Sequence, residues 1–319
     1  MRRSVLLHLI AAASALIAAC GCAEIIVSRG LASARSKVEV KRTNEKNRKR
    51  WEKLVPGIMP WTDSLLSCGV MRDTFIMSGE CRLHAMYVPS EGISRRTAIV
   101  VHGYDAGPFN VMMLARMYRD SLGFNVLAPS LRHHCYSGGD FVQMGWKDRL
   151  DLLLWAEVAH RHFNDTLQVF HGVSMGAAAV MMASGEETPE YVRGFVEDCG
   201  YTSVWDEVVY AMDRYIGKDS TFVRKMETLA VDRYGLDFHE ASSVKQISSC
   251  EKPMLFIHGD ADELVPVDMA HYNYDAKKEG YRELWIAPGS AHSRAFPDYP
   301  AEYTETVRKF LRDHVISGK

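Results

Sequence analysis

Three short stretches carry side chains whose types and spacing suit acyl transfer. The first is Gly172-Val173-Ser174-Met175-Gly176. Apolar Leu167, Val169 and Phe170 precede it and an Ala- and Met-rich run to Ala183 follows. The pattern reads as a strand, a tight turn carrying a serine, and a helix. Such a turn holds Ser174 in a strained backbone conformation, about 1–3 kcal/mol above relaxed. It also points the hydroxyl out of the sheet edge, at a helix N-terminus whose N–H groups suit an oxyanion. Gly172 and Gly176 are small enough for strand and helix to approach at the turn. Alone, this pentapeptide is a weak signal, equally served by an N-cap serine.

The other two stretches raise its weight. Gly259-Asp260-Ala261-Asp262-Glu263-Leu264-Val265-Pro266 follows the apolar run Met254–His258, and Pro288-Gly289-Ser290-Ala291-His292-Ser293 follows Arg282–Ile286. A serine hydroxyl is a poor nucleophile until a base takes its proton, and His292 is the candidate base. The base in turn needs a carboxylate to fix its tautomer and stabilise the imidazolium. Asp262 is the choice, directly before Glu263-Leu264-Val265-Pro266, with Asp260 the rival and Glu263 behind it. The oxyanion is expected on the backbone N–H groups of Met175 and of Tyr104, the latter in the loop after Thr97–Gly103. His102, His171 and His258 sit at strand ends and read as hydrogen-bonded structural histidines.

Elements must bring these loops together. Strand patterns cover Asp73–Met77, Cys81–Val88, Thr97–Gly103, Phe124–Pro129, Leu167–Phe170, Tyr191–Val196, Pro253–His258 and Arg282–Ile286. Helical patterns cover Phe109–Leu122, Met144–Phe163, the run after Ser174, Val267–Lys278 and Ala301–Val315. Strands alternating with helices predict a mostly parallel eight-stranded sheet covered by helices on both faces, with reactive loops at the carboxyl ends of its strands. Residues 201–250 break the alternation with two helices, Trp205–Ile216 and Phe222–Tyr234. They are expected to form a small helical cap, with Trp205, Tyr210, Met212, Tyr215 and Phe222 as candidate pocket residues or simple packing.

The order Ser, acid, His, together with IVVHGY (99–104), FNVLAPSLRHHCYSGGD (124–140), GVSMG (172–176), FVEDCGYTS (195–203), MLFIHGDADELVP (254–266) and GSAH (289–292), resembles the α/β-hydrolase superfamily. Within it, the chain is similar to bacterial membrane-tethered hydrolases related to the prolyl-oligopeptidase and serine-aminopeptidase branches. The resemblance spans Met71 to Val315 and implies the α/β-hydrolase fold with a serine hydrolase activity and no cofactor. Many relatives carry D-x-R-x-H-G-x-S after the fourth strand. Here Ser130 to Ser137 lacks that Asp and Gly, which bears on loop packing near the site. A carboxylesterase is the first expectation and a peptidase or aminopeptidase the second, with Glu197 and Asp198 as candidate partners for a substrate amine. A non-catalytic binding protein on the same fold would lack a triad member, and none is missing.

A net charge of −2 gives no general attraction to nucleic acid, and neither a phosphate-binding Gly-rich loop nor H-E-x-x-H occurs. His133-His134-Cys135 reads as a solvated loop rather than a metal site. With 47% hydrophobic residues, 319 positions suffice for one large core. Arg2 and Arg3 precede the apolar run Val5–Ala19, the pattern of an export signal. Its end, Ile17-Ala18-Ala19-Cys20, resembles a bacterial lipobox with Cys20 as lipid attachment point. The alternatives are an anchor helix from Ser4 to Val27 and a signal cleaved within Cys20–Ala23. The cationic residues from Arg29 to Arg50 would favour a cytoplasmic side by charge bias, so sidedness stays open for this expected cell-envelope, membrane-attached hydrolase. The expected layout is an anchor over 1–27, a flexible or weakly helical spacer over 28–55, and the hydrolase domain over 56–319. Lipidation of Cys20 would leave six cysteines, with Cys68 and Cys81 the first pair to test as a disulfide.

Overall fold

The computed structural model describes residues 21–32, 37–217 and 220–317; the apolar run and Cys20 lie outside them. The strands are β1 (Arg72–Ser78), β2 (Cys81–Val88), β3 (Arg96–Val101), β4 (Asn125–Pro129), β5 (Leu167–Val173), β6 (Val192–Asp198), β7 (Met254–Gly259) and β8 (Arg282–Ala287). They form one eight-stranded sheet in the order β1-β2-β4-β3-β5-β6-β7-β8. β2 pairs antiparallel with β1 and β4, and all other neighbours are parallel. This is the α/β-hydrolase fold, as the sequence predicts.

Strands β4, β5 and β7 are buried at every position, which is why they read as continuous apolar runs rather than alternating ones. Successive side chains still point to opposite faces. Phe170, Phe195 and Phe256 enter one core cluster, whereas Val169, Val196 and Leu255 enter the other. Edge strand β1 has no fully buried position. The covering helices are α1 (21–32), α2 (Lys37–Leu54), α3 (Ile58–Ser67), α4 (Met112–Arg116), α5 (Asp148–Phe163), α6 (Met175–Ser184), α7 (Val204–Ile216), α8 (Ser220–Tyr234), α9 (Ser243–Ile247), α10 (Val267–Ala276), α11 (Ala295–Asp298) and α12 (Pro300–Phe310).

Five expectations need correction. The segment expected as a spacer contains α2, a continuous helix docked on the domain. It docks through Trp51, Asn44 and Asn47, all buried, and Glu52 accepts from the N–H groups of Gly57 and Met59 at the start of α3, both at 2.8 Å. One tryptophan and two amides make no apolar stripe, so periodicity could not reveal this. The anchor boundary expected at residue 27 falls inside α1, whose Ala23, Val27 and Leu31 join the main core. Cys68 and Cys81 are both free thiols; the Cys81 sulfur faces the turn at Gly138 instead. The helix expected over Phe109–Leu122 is a 3-10 turn (Pro108–Val111), α4 and a π turn (Met117–Ser121). Similarly, α5 starts at Asp148 rather than Met144, because Met144 and Gly145 take positive φ and the Asp148 carboxylate accepts from Gly145 N at 3.1 Å. Among the described residues, no helix is long and apolar enough to cross a membrane.

Docking of α2 is testable by Trp51→Ala, which should lower unfolding free energy by about 3 kcal/mol, within the range for large-to-small core changes. The urea midpoint reports it; an unchanged midpoint would mean that the segment behaves as a free spacer.

Candidate active site

β5 runs directly into Ser174, which takes φ 59° and ψ −123° before α6 begins at Met175. The turn exists because two backbones pass almost in contact. A Cβ on Gly172 would lie 2.2 Å from the Gly176 carbonyl oxygen, and one on Gly176 would lie 2.4 Å from the Val101 oxygen. Ser174 N donates to the Asp198 carbonyl at 2.8 Å, tying the turn to the end of β6.

The loops after β7 and β8 close over this turn. Ala261 N donates to Ser290 O at 3.1 Å, and Asp260 Oδ1 accepts from Gly289 N at 2.5 Å. Asp260 is exposed and holds the second loop in place. Asp262 has a fully buried side chain, and its Oδ2 lies 2.7 Å from His292 Nδ1. His292 Nε2 lies 2.8 Å from Ser174 Oγ. The carboxylate's other oxygen, Oδ1, accepts from Leu264 N and Val265 N, each at 2.9 Å. Burial opposes its charge, but hydrogen bonds from His258 and His292 and from the Val265 N–H hold its carboxyl well below the usual range. With Asp262 ionised, Nδ1–H donates to it and Nε2 is left to accept from the serine.

Two buried histidines set the backbone beside Ser174. His102 Nε2 accepts from Leu131 N at 3.1 Å while Nδ1–H donates to Gly103 O at 2.7 Å. His134 Nε2 accepts from Asp105 N at 3.2 Å and its Nδ1–H donates to Arg132 O at 2.8 Å. They fix residues 102–105 on both sides of Tyr104. Gly103 packs against the serine, since a Cβ there would lie 3.0 Å from Ser174 Cβ. Met175 is the first residue of α6, so its N–H is one a helix leaves without an intrahelical acceptor. The structure thus brings Ser174, His292, Asp262, Met175 and Tyr104 to one place.

His134 is fully buried, which corrects the solvated-loop reading of His133-His134-Cys135. Where many relatives have Gly, Cys135 adopts φ 49°, a conformation glycine takes freely; Asn44 of α2 donates to its sulfur at 3.5 Å. Ser130, at the position of the missing Asp, contacts His84 Nδ1 at 2.8 Å. His171 lies between the hydroxyls of Tyr118 and Tyr303, and His258 Nε2–H donates to Val265 O at 2.9 Å. Glu197 and Asp198 are turned inward: Glu197 accepts from Gly200 N and Asp198 from the Tyr303 hydroxyl, both at 2.9 Å. Of the cap residues, Met212 lines the cavity at Ser174. Trp205 stacks on His239, the Tyr210 hydroxyl donates to Glu263 O, and Phe222 packs on the core. The side chain of Tyr215 lies outside the described ones.

The cavity itself, about 280 Å³, was not foreseen in its walls. One side is α1, through Ile26, Val27, Gly30 and Leu31, and another is the cap, through Glu207, Val208, Met212 and Met226. Apolar residues far apart in sequence meet here only because α1 folds back over the site. The Tyr104 hydroxyl donates to Gly30 O at 2.7 Å and Val142 N to Leu31 O at 2.7 Å. Elsewhere, Glu227, Asp237 and His239 cluster within 4.8 Å, but these groups bond one another: His239 Nδ1 to Glu227 and its backbone N–H to Asp237.

Residues 109–317 match the model of the prolyl oligopeptidase family. The chain belongs to this family. It is a serine hydrolase of the esterase and peptidase kind. It is 28% identical over 221 residues to the uncharacterized protein YqkD of Bacillus subtilis (strain 168), covering 67% of this chain and 70% of the relative. In fold it is similar to the Pyrococcus furiosus esterase Pf2001, with TM-score 0.62 at 21% identity over 78% of this chain and 95% of that one. It is also similar to the Pyrococcus horikoshii acylaminoacyl peptidase, with TM-score 0.57 at 17% identity over 78% of this chain but only 42% of that one.

Burial lifts the carboxyl of Glu197 to about 8, that of Asp148 to about 7 and that of Asp198 to about 6. Each therefore holds its proton in the folded chain where the unfolded chain would release it. Stability from these protons is complete below the ordinary carboxyl range and is lost as pH rises toward the lifted values. In this family member, the thermal midpoint should fall between about pH 6 and pH 8, and Glu197→Gln should make that fall shallower. Parallel slopes for the two proteins in a thermal-shift series would refute the assignment.

Proposed function

We propose that this hydrolase is a carboxylesterase acting through an acyl-enzyme, with Ser174 as nucleophile, His292 as base and Asp262 as the acid that orients it. The hydrogen-bonded line from Asp262 Oδ2 to Ser174 Oγ, opening on an apolar cavity, carries the reading. Ser174 Oγ attacks the ester carbonyl carbon as His292 Nε2 takes its proton. The tetrahedral oxyanion rests on the N–H groups of Met175 and Tyr104, where each donor is worth about 2.7–4 kcal/mol in such sites. Collapse breaks the bond to the alcohol oxygen, which takes the proton from His292. Water then repeats the sequence on the acyl-enzyme, releasing the acid and restoring the serine proton.

Family membership supports a peptidase as the second reading, since the same steps expel an amine. The small apolar cavity favours the ester. The lipobox-like Cys20 supports attachment to a bacterial membrane, with α1 following directly after it, so that the cavity mouth would lie near the lipid surface.

A fluorophosphonate probe should label the wild type and leave Ser174→Ala unlabelled. Ser174→Ala and His292→Ala should each lower kcat on the order of 10⁶-fold, and Asp262→Asn about 10⁴-fold. Labelling that persists in folded Ser174→Ala would sink the nucleophile. Short acyl esters should be cleaved in preference to aminoacyl and X-Pro amides; the reverse order would establish the peptidase. Separately, metabolic lipid labelling should be present in the full chain and vanish in Cys20→Ser, and a wild type without lipid would exclude the lipoprotein.

A further inference from the structure

The cavity at Ser174 has one acid in its wall, Glu207 on the first turn of α7. The other polar lining side chains are satisfied or belong to the site. The Tyr201 hydroxyl donates to Met144 O at 2.9 Å, the Tyr104 hydroxyl to Gly30 O, and Ser174 is held by His292. Glu207 Oε2 is cut off from solvent and has no hydrogen-bond partner, although the residue as a whole is only half-buried. An acid in a helix's first turn ordinarily serves the cap, but that task is filled. Ser203 Oγ accepts from Asp206 N at 3.0 Å, and Asp206 Oδ2 accepts from Thr202 and Ser203 at 2.6 and 2.7 Å. The cap of α7 is therefore complete without the Glu207 carboxyl.

A buried carboxyl oxygen without a partner is costly, more so when the group is charged. A ligand donor that reached it would offset that cost. The character of that ligand follows from the surroundings. Burial, together with the nearby Asp262 carboxylate, pushes Glu207 up to about 8. The cavity lining contains no Lys or Arg, so no cation in its wall competes for the Glu207 carboxyl, and the charged Asp262 nearby makes the local field negative. An anionic chain end would be repelled, a hydroxyl would gain one neutral hydrogen bond, and an ammonium would gain a charge-assisted one.

We propose that Glu207 receives a primary ammonium group at the end of an apolar chain on the substrate. This deepens the hydrolase reading, on which it rests for taking the cavity as the acyl site. The apolar walls from α1 and α7 hold the chain, and the ammonium reaches the carboxyl from within the cavity. The result is selection for cationic amphiphilic acyl groups over plain fatty acyl groups of the same length.

The test uses the full chain and two probes of equal length, n-hexylammonium and hexan-1-ol, with binding measured by isothermal calorimetry at pH 7. The wild type should bind hexylammonium at least about tenfold more tightly, a difference of about 1.4 kcal/mol. Glu207→Gln should bind the two alike, and Glu207→Leu should prefer hexan-1-ol. A wild type that prefers the alcohol, or the same tenfold preference in either variant, would overturn the proposal. Binding does not require turnover, so loss of Ser174-dependent labelling would defeat the hydrolase reading without altering this ratio. A cooperative thermal transition shows that either variant is folded, and either one alone decides the outcome.

Discussion

Everything at this site depends on how closely the β5 and α6 backbones pass at the turn. Contacts that any side chain would prevent bring the Gly172 and Gly176 backbones together and seat Gly176 against Val101. That packing holds Ser174 at a positive φ, a strain on the order of 1–3 kcal/mol that neighbouring hydrogen bonds offset. Because the serine is fixed by the sheet rather than by a loop, it can be met at hydrogen-bond distance by residues arriving from β7 and β8. The strained turn thereby acts as the fixed point to which the other two loops are fitted.

A second layer of buried polar groups keeps those loops in register. His102 and His134 do not approach the reacting atoms, yet each bridges two loop backbones around Tyr104. His258 and two backbone N–H groups complete the surroundings of Asp262, so its charge survives full burial. Buried Glu197 and Asp198 are the opposite case, lifted by burial with too few donors, Glu197 to about 8 and Asp198 to about 6. Environment rather than residue type holds one carboxyl below the ordinary range and lifts the other two above it.

The walls of the cavity show how a local surface is assembled from distant pieces. Helix α1 contributes Val27 and Leu31 to the same core as Met226 and Phe238 of the cap region, and Glu24 pairs with Arg233 at 2.8 Å. A segment that composition marks as the end of an anchor thus belongs to the wall of the cavity at Ser174. In this arrangement the helix that follows the apolar N-terminal run in sequence also walls the cavity at Ser174.

The residue sequence by itself determined the order of the strands, the elbow at Ser174 and the loops bearing Asp262 and His292. It could do so because buried parallel strands leave continuous apolar runs and the loops at their carboxyl ends carry motifs of fixed order. It also favoured Asp262 over Asp260, and the structure shows the two divided between orienting His292 and holding a turn. Docking of α2 through Trp51 was not legible, since a single tryptophan and two asparagines give no period. Nor was the burial of His134, because a polar run looks solvated until another backbone donates to it. Glu207 was indistinguishable from a first-turn acid next to Asp206. Only the tertiary structure gave the cap to Asp206 and left Glu207 without a partner in an apolar wall, because burial and partners are properties of the fold and not of local sequence.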